Sequence, residues 1–509
     1  MRQHNWLMAA GLIVPMAGLA LLAGCGGSSS SSGGGGGTTG NQPQIQNINS
    51  STTATSPVNL PVDINGSGFQ SAPGKVTFTQ GSLSVDVTPT ASAWSSTGIQ
   101  AVVPAGNGTT NFTVPGTLNV TVTTSAGTSN SEPVNLVPTL SFRPSAMTWA
   151  KTTQLPAAMT GMAGVAVRGN SSSNAFVVLT GGYNGTANTN TVWADNWNQN
   201  GTVGSATNKT WLIVGTRPLP TTLAFQAMAE ADDTNSPVPA GTRDVYVIGG
   251  QVSAGSLSGS ATVYLGTVNP STGFVNGWTS LNSRLPQALY GMSASVYNGY
   301  LYVVGGMNSN DDPVNTVYTA PINSDGTLGV FTPAKNFLPK GEAFGSMFLY
   351  GDTIYYIDGD PDSSIPPGNQ DIGDYQVYFA SAVRGVVGPW TQNANSTIYD
   401  RAKGVLFTAF GQVIQGEGVY FGSVGSGEME TSAVNLNNTT NAALGLWSSL
   451  AASSGQVPQA NVYNAVGVTS PLISATGAPR FLLLGGQYLT GVAGPGGTLS
   501  VFVYYNNAP

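Results

Sequence analysis

The sequence predicts an all-β protein, and three observations carry that prediction. Gly (68 residues) and Pro (31 residues) punctuate the chain throughout, leaving only short runs between turn signals. Within those runs Val, Thr, Tyr and Phe alternate with polar residues, the period-2 pattern of a strand with one face inward. No amphipathic pattern of three helical turns occurs after the N-terminal apolar run.

The first 25 residues stand apart. Arg2 supplies a positive start, and an apolar run from Leu7 to Ala23 follows, too short and Gly-rich for a membrane span. Leu22-Ala23-Gly24-Cys25 then resembles the lipobox of bacterial lipoproteins. The resemblance implies a signal peptide over 1–24 and lipid on the Cys25 thiol, so that the membrane is a partner through the anchor. Gly26, not Asp, follows the cysteine, which by the same resemblance points to the outer membrane. Residues 25–41 then read as the lipidated cysteine and a Gly/Ser tether without core-forming side chains.

Cys25 is the only cysteine and His4 the only histidine. Removal of the signal leaves no histidine and no free thiol. Ser-His-Asp, Cys-His and His-metal designs are thereby excluded, as is c-type haem attachment. Charged residues make up only 7% of the chain, and the formal net charge is −7. No basic stripe exists to neutralise phosphates, so nucleic acid is excluded as a partner. The run Gly33–Gly37 is tether, because no strand precedes it and no helix follows, so it is not a phosphate cradle.

Residues 42–138 form the first predicted folded unit. Its alternating segments include Val62-Asp-Ile64-Asn-Gly66-Ser-Gly68-Phe69, Val76-Thr-Phe78, Trp94-Ser-Ser-Thr-Gly-Ile99 and Leu118-Asn-Val120-Thr-Val122. Alternation of this kind predicts a β-sandwich, with Trp94 in its core. The order of pieces, above all Gly-x-Gly-Phe and the later Trp-Ser-Ser, resembles the IPT/TIG family of immunoglobulin-like domains.

Residues 141–509 contain a repeat. A short apolar strand ending in Gly-Gly occurs at Phe176–Gly182, Val245–Gly250, Leu301–Gly306 and Phe481–Gly486. Ile354-Tyr-Tyr-Ile-Asp358-Gly359 and Val419-Tyr-Phe-Gly-Ser-Val-Gly425 read as degenerate copies. Between anchors lies a Tyr-bearing strand, as at Tyr264 and Tyr318, then a Trp followed by Leu-Pro, as at Trp278 and Leu285-Pro286. Each unit thus reads as four strands, and the pattern resembles the kelch repeat, one blade of a β-propeller. Six copies predict six blades. Trp149 heads a strand before the first blade and Leu499–Tyr505 is a Tyr strand without a successor, so the N-terminal strand is expected to close the ring. Copper propellers of the galactose-oxidase kind share the architecture, but their histidine ligands and Cys–Tyr link have no counterpart here.

Carboxylates remain as candidate chemistry. The densest group follows the fourth anchor: Asp358, Asp360, Asp362, Asp371 and Asp374. Asp311 and Asp312 in the preceding unit, and Glu428 and Glu430 in the following one, extend it into one acidic sector. Hard oxygen donors at this density suit Ca²⁺, although Asp358-Gly-Asp360-Pro-Asp362 lacks the glycine and terminal Glu of an EF-hand. A solvated acidic loop is the competing reading. Trp193 and Trp197 sit beside a polar loop and match no repeat position, which makes them candidates for an exposed sugar platform. Arg168, Arg243 and Arg480 lie near blade starts, where they would anchor an anion or pair structurally.

The function expected from these features is a lipid-anchored cell-envelope protein. Its propeller would be a non-catalytic binding or scaffolding surface for protein or glycan, with no cofactor required. The alternative is a Ca²⁺-dependent carbohydrate-active enzyme using carboxylates of the acidic sector.

Overall fold

The computed structural model describes residues 42–505 apart from short interruptions, the longer of which are 49–53, 137–143, 205–210, 362–374, 435–443, 451–461, 472–478 and 489–500. Among the described residues every regular element but one short turn is a strand.

The N-terminal part holds two sheets around one core. Gln44–Ile48, Pro61–Ser67 and Gly98–Val102 form the smaller sheet. Lys75–Gln80, Leu83–Val87, Gly116–Thr124 and Glu132–Leu136 form the larger one, with Ala54–Ser56 parallel to Glu132–Leu136 at its edge. Alternate residues of both sheets, among them Ile64, Phe78, Leu118, Val120 and Val134, meet in the core. Trp94 is buried there, edge-on to Phe69 at 6.4 Å between ring centroids, and its indole N–H donates to the Phe69 carbonyl at 3.1 Å. It is a core residue, as its alternation requires.

From Thr148 onward the chain forms six antiparallel sheets of four or five strands among the described residues. The first consists of Ala163–Arg168, Asn174–Thr180, Val192–Asn198 and Leu212–Ile213, and the next four repeat this order. In the sixth, Val466–Thr469, Phe481–Leu484 and Val501–Tyr505 are joined by Thr148–Lys151 from the start of the unit, with Trp149 opposite Tyr504. A strand from the start of the unit thus completes the last sheet by pairing with Val501–Tyr505.

Two sets of backbone hydrogen bonds tie neighbouring sheets together. In the first, the N–H of Phe225, Gly291, Phe344, Lys403, Asn464 and Gly161 each donates to the carbonyl of its predecessor in that circular order, at 2.7–3.0 Å. All six residues have φ between 53° and 65°. The cycle returns to its start, so the innermost strands surround a common axis. In the second set, the second residue of each anchor pair donates across to the next sheet: Gly182 to Leu223, Gly250 to Leu289, Gly306 to Glu342, Gly359 to Arg401, Gly418 to Val462 and Gly486 to Met159. The Gly-Gly signature has a local cause here. Gly249 and Gly250 have φ of 59° and 102°, and a Cβ on Gly250 would lie 2.7 Å from that of Gln226.

One expected repeat copy is misplaced. Val419–Tyr420 and Ser423–Val424 form a separate two-stranded hairpin. The fifth anchor strand is Gln412–Gly416, followed by Glu417-Gly418. Glu417 occupies the left-handed slot at φ 55°, where the other regular copies have Gly, so the pattern is hidden in sequence. Asp358 does the same at φ 54°, and there the copy lies where the sequence places it.

Candidate functional site

Strand register shows where the repeat is broken. Leu179 faces Trp193 in the first sheet, Val247 faces Tyr264 in the second, Val303 faces Tyr318 in the third and Tyr356 faces Tyr378 in the fourth. The equivalent pair in the fifth sheet is Gln415 and Glu430. Between sheets, the position held by Met159, Leu223, Leu289 and Val462 becomes Glu342 and Arg401. A block of polar and charged side chains has therefore replaced apolar and aromatic ones at the fourth and fifth sheets.

These groups bond chiefly to one another. The Thr397 hydroxyl donates to Asp358 Oδ1 at 2.7 Å, and Gln415 Nε2 donates to Asp358 Oδ2 at 2.6 Å and to Glu430 Oε1 at 3.0 Å. Arg401 pairs with Glu430 at 3.4 Å, donates to the Glu417 carbonyl at 2.7 Å, and lies 4.6 Å from the Tyr399 ring centre. Glu417 Oε2 accepts from the Val462 N–H at 3.1 Å, and Glu430 Oε2 from the Ile398 N–H at 2.7 Å. Asp358, Arg401, Gln415, Glu417 and Glu430 are all buried.

Burial, reinforced by the neighbouring Glu430 charge, holds the Asp358 carboxyl well above the usual carboxylate range. Burial likewise pushes Glu417 up to about 8, against the opposing pull of the Val462 N–H and Arg401. The adjoining cavity, lined by Asp358, Arg401 and Gln415 among others, measures about 10 Å³. That is room for about one water molecule. The Asp358 carboxyl thus adjoins a space that holds no sugar ring.

The sequence candidates fall as follows. Asp358 and Glu430 meet through Gln415, and Asp360 is buried, its N–H donating to the Ala343 carbonyl at 2.7 Å. Neither Asp358 nor Asp360 is a solvated loop carboxylate, because the strand end that carries them is packed between sheets. Asp362, Asp371 and Asp374 lie outside the described residues. Asp311 accepts a hydrogen bond from the Tyr290 hydroxyl, and Asp312 is exposed. Glu428 is half-buried beside Glu417, whose N–H donates to its carbonyl at 3.3 Å. Among the described residues no three acidic, His or Cys side chains converge as a metal site.

Trp193 and Trp197 are not an exposed platform. Both are buried in the core between the first and sixth sheets, and Trp193 holds the same register position as Tyr264 and Tyr318. A tryptophan in a tyrosine slot had disguised the repeat. Arg168 lies 3.9 Å from Asp232, and Arg243 donates to the Arg168 carbonyl, so both serve as structural partners.

A second feature was not visible in sequence. A cleft of about 350 Å³ lies between the N-terminal sandwich and the ring. Its walls are Asp63, Asn65, Trp94, Thr97 and Gln100 on one side and Asn235, Asn298, Tyr300 and Arg384 on the other. Arg384 sits at the tip of the hairpin between Val377–Val383 and Val386–Val387, at φ 45°, and donates to the Trp94 carbonyl. The tip is clamped in turn, since the Gly385 N–H donates to the Tyr302 hydroxyl at 2.9 Å and the Thr319 hydroxyl donates to the Gly385 carbonyl at 3.0 Å. A relay crosses the junction: the Tyr297 hydroxyl donates to Gln100 Oε1 at 3.3 Å, and Gln100 Nε2 donates to Asp63 at 3.1 Å. Burial pushes the Asp63 carboxyl up to about 6 despite that hydrogen bond.

The Kelch motif family matches residues 288–318, which span the innermost strand, the anchor strand and the start of the Tyr strand of the third sheet. The ring is a kelch-like β-propeller. A solved structure titled "Structure of YjhT" is 16% identical and covers 67% of this chain and 94% of its own, with a TM-score of 0.45. No curated protein matches the chain.

Proposed function

We propose that this chain is an exported lipoprotein anchored to the cell envelope at an outer membrane, whose propeller is a non-catalytic binding or scaffolding surface. Cys25 carries the lipid, residues 26–40 form the tether, and the sandwich of 42–138 is an IPT/TIG-like stalk. The ring has six blades, supported by the two circular sets of hydrogen bonds between sheets. Its partner is a protein or a surface glycan.

The observation that favours the non-catalytic side of this reading is the disposition of the charged cluster. Its carboxyls are buried and bonded to Gln415, Thr397, Arg401 and backbone N–H groups, and Asp358 alone of them lines the cavity of about 10 Å³. A general acid or base must instead reach its substrate directly or through one water. The sector reads as polar packing that fixes how two blades meet.

Two measurements test the proposal. Palmitate labelling of the expressed full chain should be strong, and Cys25→Ser should abolish both the label and membrane retention. The detergent-purified chain should capture an envelope protein or glycan fraction without turning over glycan substrates, with or without Ca²⁺. Ca²⁺-dependent hydrolysis lost on changing Asp362, Asp371 and Asp374 to Asn would replace this reading with the enzymatic one.

A further inference from the structure

We propose that the cleft between the sandwich and the propeller is a binding site for an uncharged saccharide of one or two rings. The inference concerns a place distinct from the Gly-Gly loops. The strand Tyr300–Val304 begins at the cleft and ends at Gly305-Gly306, so the two lie at opposite ends of the blade.

The cleft's size comes first. At about 350 Å³ it falls at the lower end of small-molecule sites, which run about 300–1,000 Å³. The lining chemistry comes second. Gln100, Asn235 and Asn298 bring amides, which both donate and accept. Arg384 adds donors, Asp63 adds acceptors, and Tyr300 offers a ring with a polar tip. A sugar hydroxyl needs a donor and an acceptor together, and its C–H faces suit apolar walls such as Ile99, Pro237 and Pro321. A wholly apolar ligand would strip these polar groups of water without replacing their hydrogen bonds. A multiply charged anion would meet one guanidinium and the Asp63 carboxyl facing the same space.

The walls are also fixed in place. The Gly299 N–H donates to the Asn235 carbonyl at 2.7 Å, the Ile322 N–H donates to the Gly299 carbonyl at 2.9 Å, and Arg384 is held by the Trp94 carbonyl. A preorganised wall lowers the ordering cost of binding.

Thr97 is exposed on the cleft wall, and among the described residues its hydrogen bonds are made by its backbone N–H and carbonyl, which a replacement keeps. Thr97→Trp therefore fills the space from an exposed turn. The test is saturation-transfer NMR and calorimetry on the purified full chain in a sugar-free detergent. The probes are glucose, galactose, N-acetylglucosamine, maltose and cellobiose. At least one probe should bind, Thr97→Trp should weaken it tenfold or more with an unchanged melting curve, and Tyr300→Phe should weaken it severalfold. Absence of binding by all five, or binding that Thr97→Trp leaves unaltered, overturns the proposal. Capture of a partner by the propeller is read separately and is unaffected by Thr97→Trp, so failure of one reading does not imply failure of the other.

Discussion

The second and fifth sheets of the ring share a backbone but not a chemistry. Gly249 and Glu417 occupy the same slot at φ 59° and 55°, and both are followed by a glycine that donates to the next sheet. Around Gly249 lie Val247, Tyr264 and Leu289, all buried. Around Glu417 lie Gln415, Glu430 and Arg401, buried equally deeply. The comparison teaches that the circular hydrogen-bond pattern is set by the main chain. The side chains filling the wedge between blades need only satisfy one another, by apolar contact or by a closed polar network.

The largest expected effect comes from breaking the network at the Arg401 guanidinium. Arg401→Leu copies the wedge residue of the second and third blades but strands Glu430 and the Glu417 carbonyl. Removing one partner of a buried pair costs about 3–5 kcal/mol, which urea unfolding would read directly. A loss below about 1 kcal/mol would show that the two sectors are interchangeable one residue at a time.

A pH profile separates the sectors next. Glu417 has a folded-state value of about 8 against 4.5 for the free side chain, so the folded protein holds its proton more tightly than the unfolded chain. Its contribution is fully present below about pH 4.5 and is lost as pH rises towards 8, at up to about 1.4 kcal/mol per pH unit. Asp358, shifted in the same direction, adds to the decline. Glu417→Gln keeps an acceptor for the Val462 N–H and should flatten the fall in melting temperature between pH 5 and 8. An unchanged slope would remove Glu417 from the account.

A smaller effect is expected when the regular blade is given the acid. Gly249→Asp places a Cβ 2.7 Å from the Leu289 carbonyl oxygen and 2.9 Å from Met292 Sδ, with no counterpart of Thr397 or Gln415. A cost of about 1–3 kcal/mol should appear in thermal unfolding. Stability equal to the parent would mean that the slot accepts a carboxyl without partners.

The smallest change should follow from exchanging the whole network. The five-fold variant Asp358→Gly, Arg401→Leu, Gln415→Val, Glu417→Gly, Glu430→Tyr removes the carboxyls together with their partners and gives these positions the residues of the second blade. Replacing a complete buried ion pair by packed apolar groups is often neutral or stabilising, so this variant should lie within about 1 kcal/mol of the parent or above it. A variant as unstable as Arg401→Leu alone would show that the polar cluster does more than fill space.

Much of the ring was legible because its signals are local. A buried strand followed by a glycine in a left-handed slot reads the same wherever it occurs, and four of the anchors carried it plainly. The fifth was hidden because Glu417 stands where glycine is expected, and Trp193 was misread because a larger aromatic fills a tyrosine slot. Both errors have one origin. Repeat equivalence is a matter of strand register, which sequence shows only when the residue types are kept.

By itself the sequence determined the all-β class, the Gly-Gly anchored strands, and the confinement of its one histidine and one cysteine to the first 25 residues. Those follow from side-chain period, backbone permissiveness and composition, which need no partner. Only the tertiary structure decided that Asp358, Gln415, Arg401 and Glu430 form one buried network, and that Gln100 and Asp63 face Asn298 and Arg384 across a cleft. Those residues lie far apart along the chain and have no local signal. Their environment is made by how blades pack against each other and how the sandwich rests on the ring, which no single stretch of sequence contains.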